Sequence, residues 1–252
     1  MEVKNSVAIV TGGNRGIGEA FVRELFAAGA AKVYVGARNT ESAIHLEREF
    51  PDRAVAIALD VTDEDSVARA AEKCNDTSIV INNAGAFNNE LLIGAVSTAA
   101  ARNEMDVNYF GPLMMCRAFA PLLAHNGGGA IMNVLSVGAI LPIPNMGGYS
   151  PSKFAAHALT TILRAELSEQ GTQVGCLIVG SVDTRMAEHV AGKKEKPEDI
   201  AKAGIAAVRK NIPEMDTDIF AITMRAAMHR DPGTLEKRMA ASIHATDIST
   251  GR

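Results

Sequence analysis

Short, unbroken apolar runs alternate with longer helix-patterned stretches over residues 1–180, and this alternation limits the fold more than any other feature of the chain. Residues 7–10 are wholly apolar and stop at Thr11-Gly12-Gly13. Residues 17–28 read as a helix ended by Gly29, 32–35 as a strand, 41–50 as a helix stopped by Pro51, and 54–59 as a third strand. Helix 62–74 opens on an acidic turn, with Asp65 three residues after a Thr62 cap. Strand 78–81, helices 98–109 and 111–125, strand 130–135, helix 149–170 and strand 173–179 continue the pattern. Strands apolar on both faces are buried on both faces, which predicts an α/β, doubly wound parallel sheet flanked by helices. No linker or charge block interrupts the pattern before residue 180, so 1–252 is read as a single domain. Residues 183–215 are expected to form a substrate lid and 216–252 a C-terminal extension. The polar stretch 192–197 suits a solvated loop or part of that lid. Helix 197–210, a last strand at 218–223 and a last helix at 232–242 complete the expectation.

The composition narrows the function classes. Apolar residues make up 47% of 252, enough for a core without covalent staples. A net charge of −4 gives no basic field, so no nucleic-acid partner is expected. Cys74, Cys116 and Cys176 are odd in number and form no CxxC pair, which fits buried, inert thiols in a reducing compartment. The histidines show no metal-ligand spacing, and no metal is expected. There is no run of 18 apolar residues and no secretory leader, so the expectation is a cytoplasmic protein without a membrane partner.

Thr11-Gly12-Gly13-Asn14-Arg15-Gly16-Ile17-Gly18 joins the first strand to the first helix. Glycines at 12, 16 and 18 permit a tight turn, close backbone approach to a pyrophosphate and close helix packing. The helix N-terminus then offers free N–H groups to phosphate. The spacing is G-x-x-x-G-x-G, and no Gly-Lys-Ser/Thr closes it, so it is not a P-loop. An acid that would hold a ribose 2′-hydroxyl is missing at the end of the second strand, where Gly36-Ala37-Arg38 stands. Arg38 and Arg15 suit a 2′-phosphate, hence NADP(H) over NAD(H); the plain alternative is two surface arginines. Asp60, after the third strand, suits an adenine amino group or a helix cap.

Tyr149 and Lys153 stand four residues apart at a helix start, on one helical face. An ammonium beside a phenol stabilises the phenolate and lowers its pKa, the condition for acid–base work near neutrality. Ser136 lies just past strand 130–135, at the sheet end where open α/β folds build sites, and suits a substrate carbonyl.

With these motifs in order, the chain resembles the short-chain dehydrogenases/reductases over residues 5–190. The family's T-G-x-x-x-G-x-G reads Thr11 to Gly18, its N-N-A-G reads Asn82-Asn83-Ala84-Gly85, its Asn is Asn108, its Ser is Ser136, and its Y-x-x-x-K is Tyr149 with Lys153. The resemblance implies a Rossmann-like fold and an NADP(H)-dependent, carbonyl reductase-like oxidoreductase acting on a small carbonyl or alcohol. It implies Tyr149 as acid or base, Ser136 as orienter and Lys153 as ribose ligand. It also implies that Asn108 holds a relay water. Dinucleotide contacts are expected at Gly12, Asn14, Arg15, Gly16, Ile17, Gly18, Arg38, Asp60, Val61, Asn83, Ala84, Gly85, Tyr149, Lys153, Val182 and Thr184. Two departures stand out: Val179 replaces the usual Pro before Gly180, and the usual Gly-Gly near the C-terminus is missing. Those relatives often form homodimers or homotetramers. Met114, Met115, Phe119, Phe154, Leu159 and Leu163 suit such an interface, and equally packing on the sheet. Val137, Leu141, Ile143, Met146, Met186 and His189 suit a substrate wall, and equally the core. The competing function class is a dinucleotide-binding regulatory protein on the same fold.

Overall fold

The computed structural model describes residues 1–144 and 146–245. Its strands are β1 (Val7–Thr11), β2 (Lys32–Ala37), β3 (Ala54–Ala58), β4 (Ile79–Asn82), β5 (Gly129–Val134), β6 (Thr172–Ile178) and β7 (Glu214–Asp216). All pair in parallel in the order β3-β2-β1-β4-β5-β6-β7. The chain winds outward from β1 to β3, then returns to place β4 on the other side of β1. Ligand crevices form at that reversal, at the carboxyl ends of the strands.

The helices are α1 (Gly16–Ala27), α2 (Ile44–Glu49), α3 (Glu64–Lys73), α4 (Ala99–Met105), α5 (Gly111–His125), α6 (Tyr149–Glu166), α7 (Pro197–Lys210), α8 (Ile219–Arg230) and α9 (Pro232–Ala245). Strand alternation divides the core. Ile9 pairs with Tyr34 and Val80, and all three face α3, α5 and α6. Val10, Val35 and Ile81 face the opposite layer, where Phe21 and Leu25 of α1 meet Ile205 and Val208 of α7. Each such side chain contributes about 1.5–3 kcal/mol by leaving water. A smaller cluster under α8 and α9 holds Leu135, Val137, Leu141, Ala156, Cys176, Ile178, Ala221 and Leu235.

The departures from the sequence reading have local causes. Residues 218–223 are not a strand. Asp218 caps α8 by accepting a hydrogen bond from the Ala221 N–H, and the last strand is the short polar β7 before it. An apolar run such as Ile219-Phe220-Ala221-Ile222 suits either period, and the cap decides. Asp63, not Thr62, caps α3, accepting from the Asp65 N–H at 3.0 Å. Helix 41–50 divides into a 3₁₀ turn at Thr40–Ala43 and α2. Helix 98–109 tightens only to Met105, then widens to a π turn at Asp106–Phe110 that runs into α5. Helix 149–170 ends at Glu166.

Within 183–215, α7 packs Ile200, Ala201 and Ile205 into the core, so the loop of that span is residues 183–196. Of the expected extension 216–252, residues 246–252 lie outside the described residues. Met115, Phe119, Leu159 and Leu163 are sheet-packing residues, whereas Phe154 is exposed. Cys74, Cys116 and Cys176 are free and buried. Among the described residues, no helix is long and apolar enough to cross a membrane.

Candidate active site

The glycine turn is built around Thr11 and Asn83. The Thr11 hydroxyl accepts from the Asn83 and Ala84 N–H groups, each at 3.0 Å. The Asn83 amide donates to the carbonyls of Thr11 (3.0 Å) and Gly12 (3.2 Å). Asn83 therefore braces β1 against β4 with its side chain. Gly12 and Gly16 have φ of +62° and +56°, the region that favours glycine. Gly18 meets a steric demand instead, since a Cβ there would lie 2.1 Å from the Gly12 carbonyl oxygen. Arg15 precedes α1 in extended conformation and gives it no side-chain cap, so the first-turn N–H groups face the crevice without that partner. Thr184 approaches the same turn: a Cβ on Gly16 would lie 3.2 Å from Thr184 Cγ2.

Asn14 tethers the turn to the segment after β2 by donating to Ser42 Oγ at 3.0 Å. Arg15 and Arg38 are exposed, with no hydrogen-bond or ion-pair partner among the described residues. Asp60 is not a helix cap. Its Oδ1 accepts from the N–H (3.0 Å) and hydroxyl (2.7 Å) of Thr62. Those bonds, with the Arg38 charge, hold its carboxyl below the usual range despite partial burial. Val61 and Val182 are buried, and Ile17 packs at the margin of the core.

Tyr149 opens α6 and is buried, as is Lys153 one turn on. The Lys153 ammonium donates to the Val134 carbonyl at 3.0 Å and sits 5.6 Å from the Tyr149 ring centre. Burial pushes the Lys153 pKa down to about 8. Burial pushes the Tyr149 phenol up to about 12; the Ser136 hydroxyl opposes this and the Glu104 charge adds to it. The protein alone thus keeps Tyr149 a proton donor, where the sequence reading expected a lowered pKa. Ser136 caps a short turn, its Oγ accepting from the Gly138 N–H at 3.1 Å. A Cβ on Gly138 would stand 3.6 Å from both Ser136 Oγ and Tyr149 Cε1, so these two side chains share one wall. Asn108 lies in the π turn. Its amide donates to the Ala86 carbonyl and Ser152 Oγ, and its Oδ1 accepts from the Ala86 N–H, all at 2.9 Å. A Cβ on Gly85 would lie 3.4 Å from Asn108 Oδ1 and 3.8 Å from Lys153 Nζ, which brings both to one cradle.

The expected substrate wall divides. Val137 and Leu141 are buried in the core cluster. Ile143 and Met146 are half-buried, while Met186 and His189 are exposed in the loop 183–196. Two residues went unnoticed in the sequence. Phe87 meets the Tyr149 ring edge-on at 5.1 Å and the His189 ring at 5.3 Å. Its place two residues after Gly85 was the available signal. Glu104 is buried, accepts from the Asn88 N–H at 2.7 Å, and comes within 2.7 Å of where a Cβ on Gly148 would be. Burial foremost, with the nearby Glu90 charge, raises its pKa. No sequence signal marks it, because its position beside Tyr149 depends on α4 crossing the start of α6.

A family model for short chain dehydrogenases matches residues 6–195. An uncharacterized oxidoreductase of Staphylococcus epidermidis is 31% identical over 214 residues, 82% of this chain and 92% of that protein. A short chain dehydrogenase from Burkholderia cenocepacia, solved in complex with NADP, has a TM-score of 0.89 at 37% identity, covering 95% of this chain and 99% of that one. A 3-ketoacyl-(acyl-carrier-protein) reductase from Brucella melitensis, complexed with NADH, has a TM-score of 0.79 at 27% identity, covering 85% and 97%.

Proposed function

The chain belongs to the short-chain dehydrogenase family, and from that premise we propose that it is an NADP(H)-dependent oxidoreductase acting on a small carbonyl or secondary alcohol. The observation that carries the reading is the gathering of Ser136, Tyr149, Lys153 and Asn108 at the sheet ends beside the glycine turn. The turn fits a dinucleotide: a Gly18 Cβ would close it, and the start of α1 has no side-chain cap. Gly12, Gly16, Gly18, Ala84, Gly85 and Thr184 would hold the pyrophosphate and nicotinamide ends. Arg15 and Arg38 would pair with the 2′-phosphate, which supports NADP(H) over NAD(H). When bound, the nicotinamide supplies or accepts the hydride.

The chain's own groups do the rest. Ser136 donates a hydrogen bond to the substrate oxygen and orients it. Tyr149, kept protonated by burial, delivers its phenolic proton to that oxygen during reduction and takes it back during oxidation. Lys153 holds a positive charge beside the phenol, so the phenolate left by proton transfer is stabilised. Asn108 fixes the Ala86 and Ser152 walls around that pair. Phe87, Ile143, Met146, Met186 and His189 would line an apolar approach. Exposed Phe110, Phe154 and Ile162 support a homo-oligomer, which the mass in solution tests.

The test is NADPH oxidation across aldehydes, aryl ketones, quinones, keto esters and steroids, with NADH in parallel and with Tyr149→Phe as control. The expected result is turnover with NADPH that Tyr149→Phe abolishes while cofactor binding persists. Full activity in Tyr149→Phe would overturn the assigned acid. NADPH binding without turnover across the panel would favour the regulatory class.

A further inference from the structure

A corner of the sheet remote from the glycine turn brings three different donor atoms together from α6, β6 and β7. His157 Nε2 lies 2.6 Å from Glu214 Oε2, and Cys176 Sγ lies 3.8 Å from the same oxygen. All three donor atoms fall within 4.8 Å of one another. We propose that His157, Cys176 and Glu214 form a binding site for a thiophilic divalent cation, of which zinc has the matching chemistry.

Tetrahedral zinc bonds of about 2.0–2.3 Å place ligand atoms about 3.3–3.6 Å apart. The sulfur–oxygen pair is already close to that range. The nitrogen–oxygen pair must open by under about 1 Å, within the freedom of two half-exposed side chains. One nitrogen, one sulfur and one oxygen leave a fourth position for water.

The surroundings orient the carboxylate. Arg225 holds Glu214 Oε1 at 2.5 Å and grips Asp216 with two hydrogen bonds of 2.7 and 2.8 Å. Oε2 is thereby aimed at His157 and Cys176, as an outer-shell partner aims a metal ligand. The fixed charges around the site are the Arg225 guanidinium paired with Glu214 and Asp216, and the Arg164 guanidinium that also acts on Cys176. Cys176 is fully buried and makes a dry inner wall, while His157 and Glu214 reach solvent and leave an entry path.

Binding forms metal–sulfur, metal–nitrogen and metal–oxygen bonds. The Cys176 thiol proton leaves to solvent, His157 binds through Nε2 as the neutral ring with its proton on Nδ1, and nothing is oxidised or reduced. His157 follows Tyr149 by eight residues, about 12 Å along the helix axis, so the site is separate from the proposed hydride chemistry. Its effect would be to pin α6 and β6 to the three-residue edge strand β7.

Cobalt(II) is the probe, titrated into the purified, chelator-treated protein and followed by absorption, with thermal melting in parallel. The expected result is saturation at one equivalent, with a thiolate-to-cobalt charge-transfer band that zinc bleaches and a raised melting temperature. Cys176→Ser is expected to lose the charge-transfer band, and His157→Ala to weaken binding at least about 10-fold. If Cys176→Ser does not fold, Glu214→Gln on the half-exposed strand is expected to weaken binding in the same way. No charge-transfer band in the wild type with cobalt in excess would overturn the proposal. So would a band that survives Cys176→Ser, or a titration that His157→Ala leaves unchanged.

Discussion

Gly18→Ala adds one methyl group at the tightest point of the glycine turn. Its Cβ would stand 2.1 Å from the Gly12 carbonyl oxygen and 2.5 Å from Asn83 Nδ2, where 3.0 Å is the practical floor. The oxygen must therefore retreat by 3.0 − 2.1 = 0.9 Å. It cannot retreat freely, because it accepts from the Asn83 amide, which also holds the Thr11 carbonyl. Overpacking of this kind costs about 1–3 kcal/mol, and loss of the Asn83 bond adds about 1 kcal/mol. The expected loss is about 2–4 kcal/mol, a fall in melting temperature of about 5–15 °C for a chain of this size. The displaced turn should also bind NADPH about 100-fold more weakly, since an error near 1 Å in a positioning element has that scale. Gly233→Ala is the control, as its added Cβ meets only Asp231 Oδ1, at 3.9 Å, within α9. Melting curves and NADPH fluorescence titrations measure both effects. Wild-type stability and affinity in Gly18→Ala would refute the argument that this turn is rigid and sterically filled.

Arg38→Ala is expected to weaken NADPH binding about 10- to 100-fold and leave NADH nearly unchanged, read from paired fluorescence titrations; equal losses would remove the 2′-phosphate assignment. Glu104→Gln keeps an acceptor for the Asn88 N–H but removes a negative charge that raises the Tyr149 pKa. Reduction needs the phenol protonated and fails as pH rises through its pKa, so the alkaline limb of the rate profile should move to lower pH. An unmoved limb would make Glu104 purely structural. Asp218 is buried and accepts from the Gly180 N–H (2.8 Å), the Ala221 N–H (2.9 Å) and the Thr217 hydroxyl (3.0 Å). Asp218→Ala should lose about 2–3 kcal/mol in urea denaturation, and Asp218→Asn should recover part of it.

The parts of the molecule that depend on local periodicity were legible in the chain. Val10, Val35 and Ile81 share a face because side chains alternate along parallel strands, and an apolar run reports that directly. Gly12 and Gly16 announced the turn because few other residues take a positive φ. Tyr149 and Lys153 declared their shared helical face through a spacing of four. Element ends and caps were less legible. Asp218 and Asp63 take their roles from where neighbouring N–H groups point, and Ile219 to Ile222 suit a strand as readily as a helix.

The amino-acid order by itself determined the parallel sheet, the glycine turn and the family's Ser136, Tyr149 and Lys153 pattern. Each is written in contacts a few residues apart or in one recognisable ordered set. The tertiary structure alone decided the rest. Phe87 reaches Tyr149 across 62 positions, and His157 reaches Glu214 across 57. It also decided the direction of the Tyr149 pKa, which burial raises against the opposing Ser136 hydrogen bond. Proximity between distant residues and the loss of water around a charge arise from packing, and no local pattern in a chain records them.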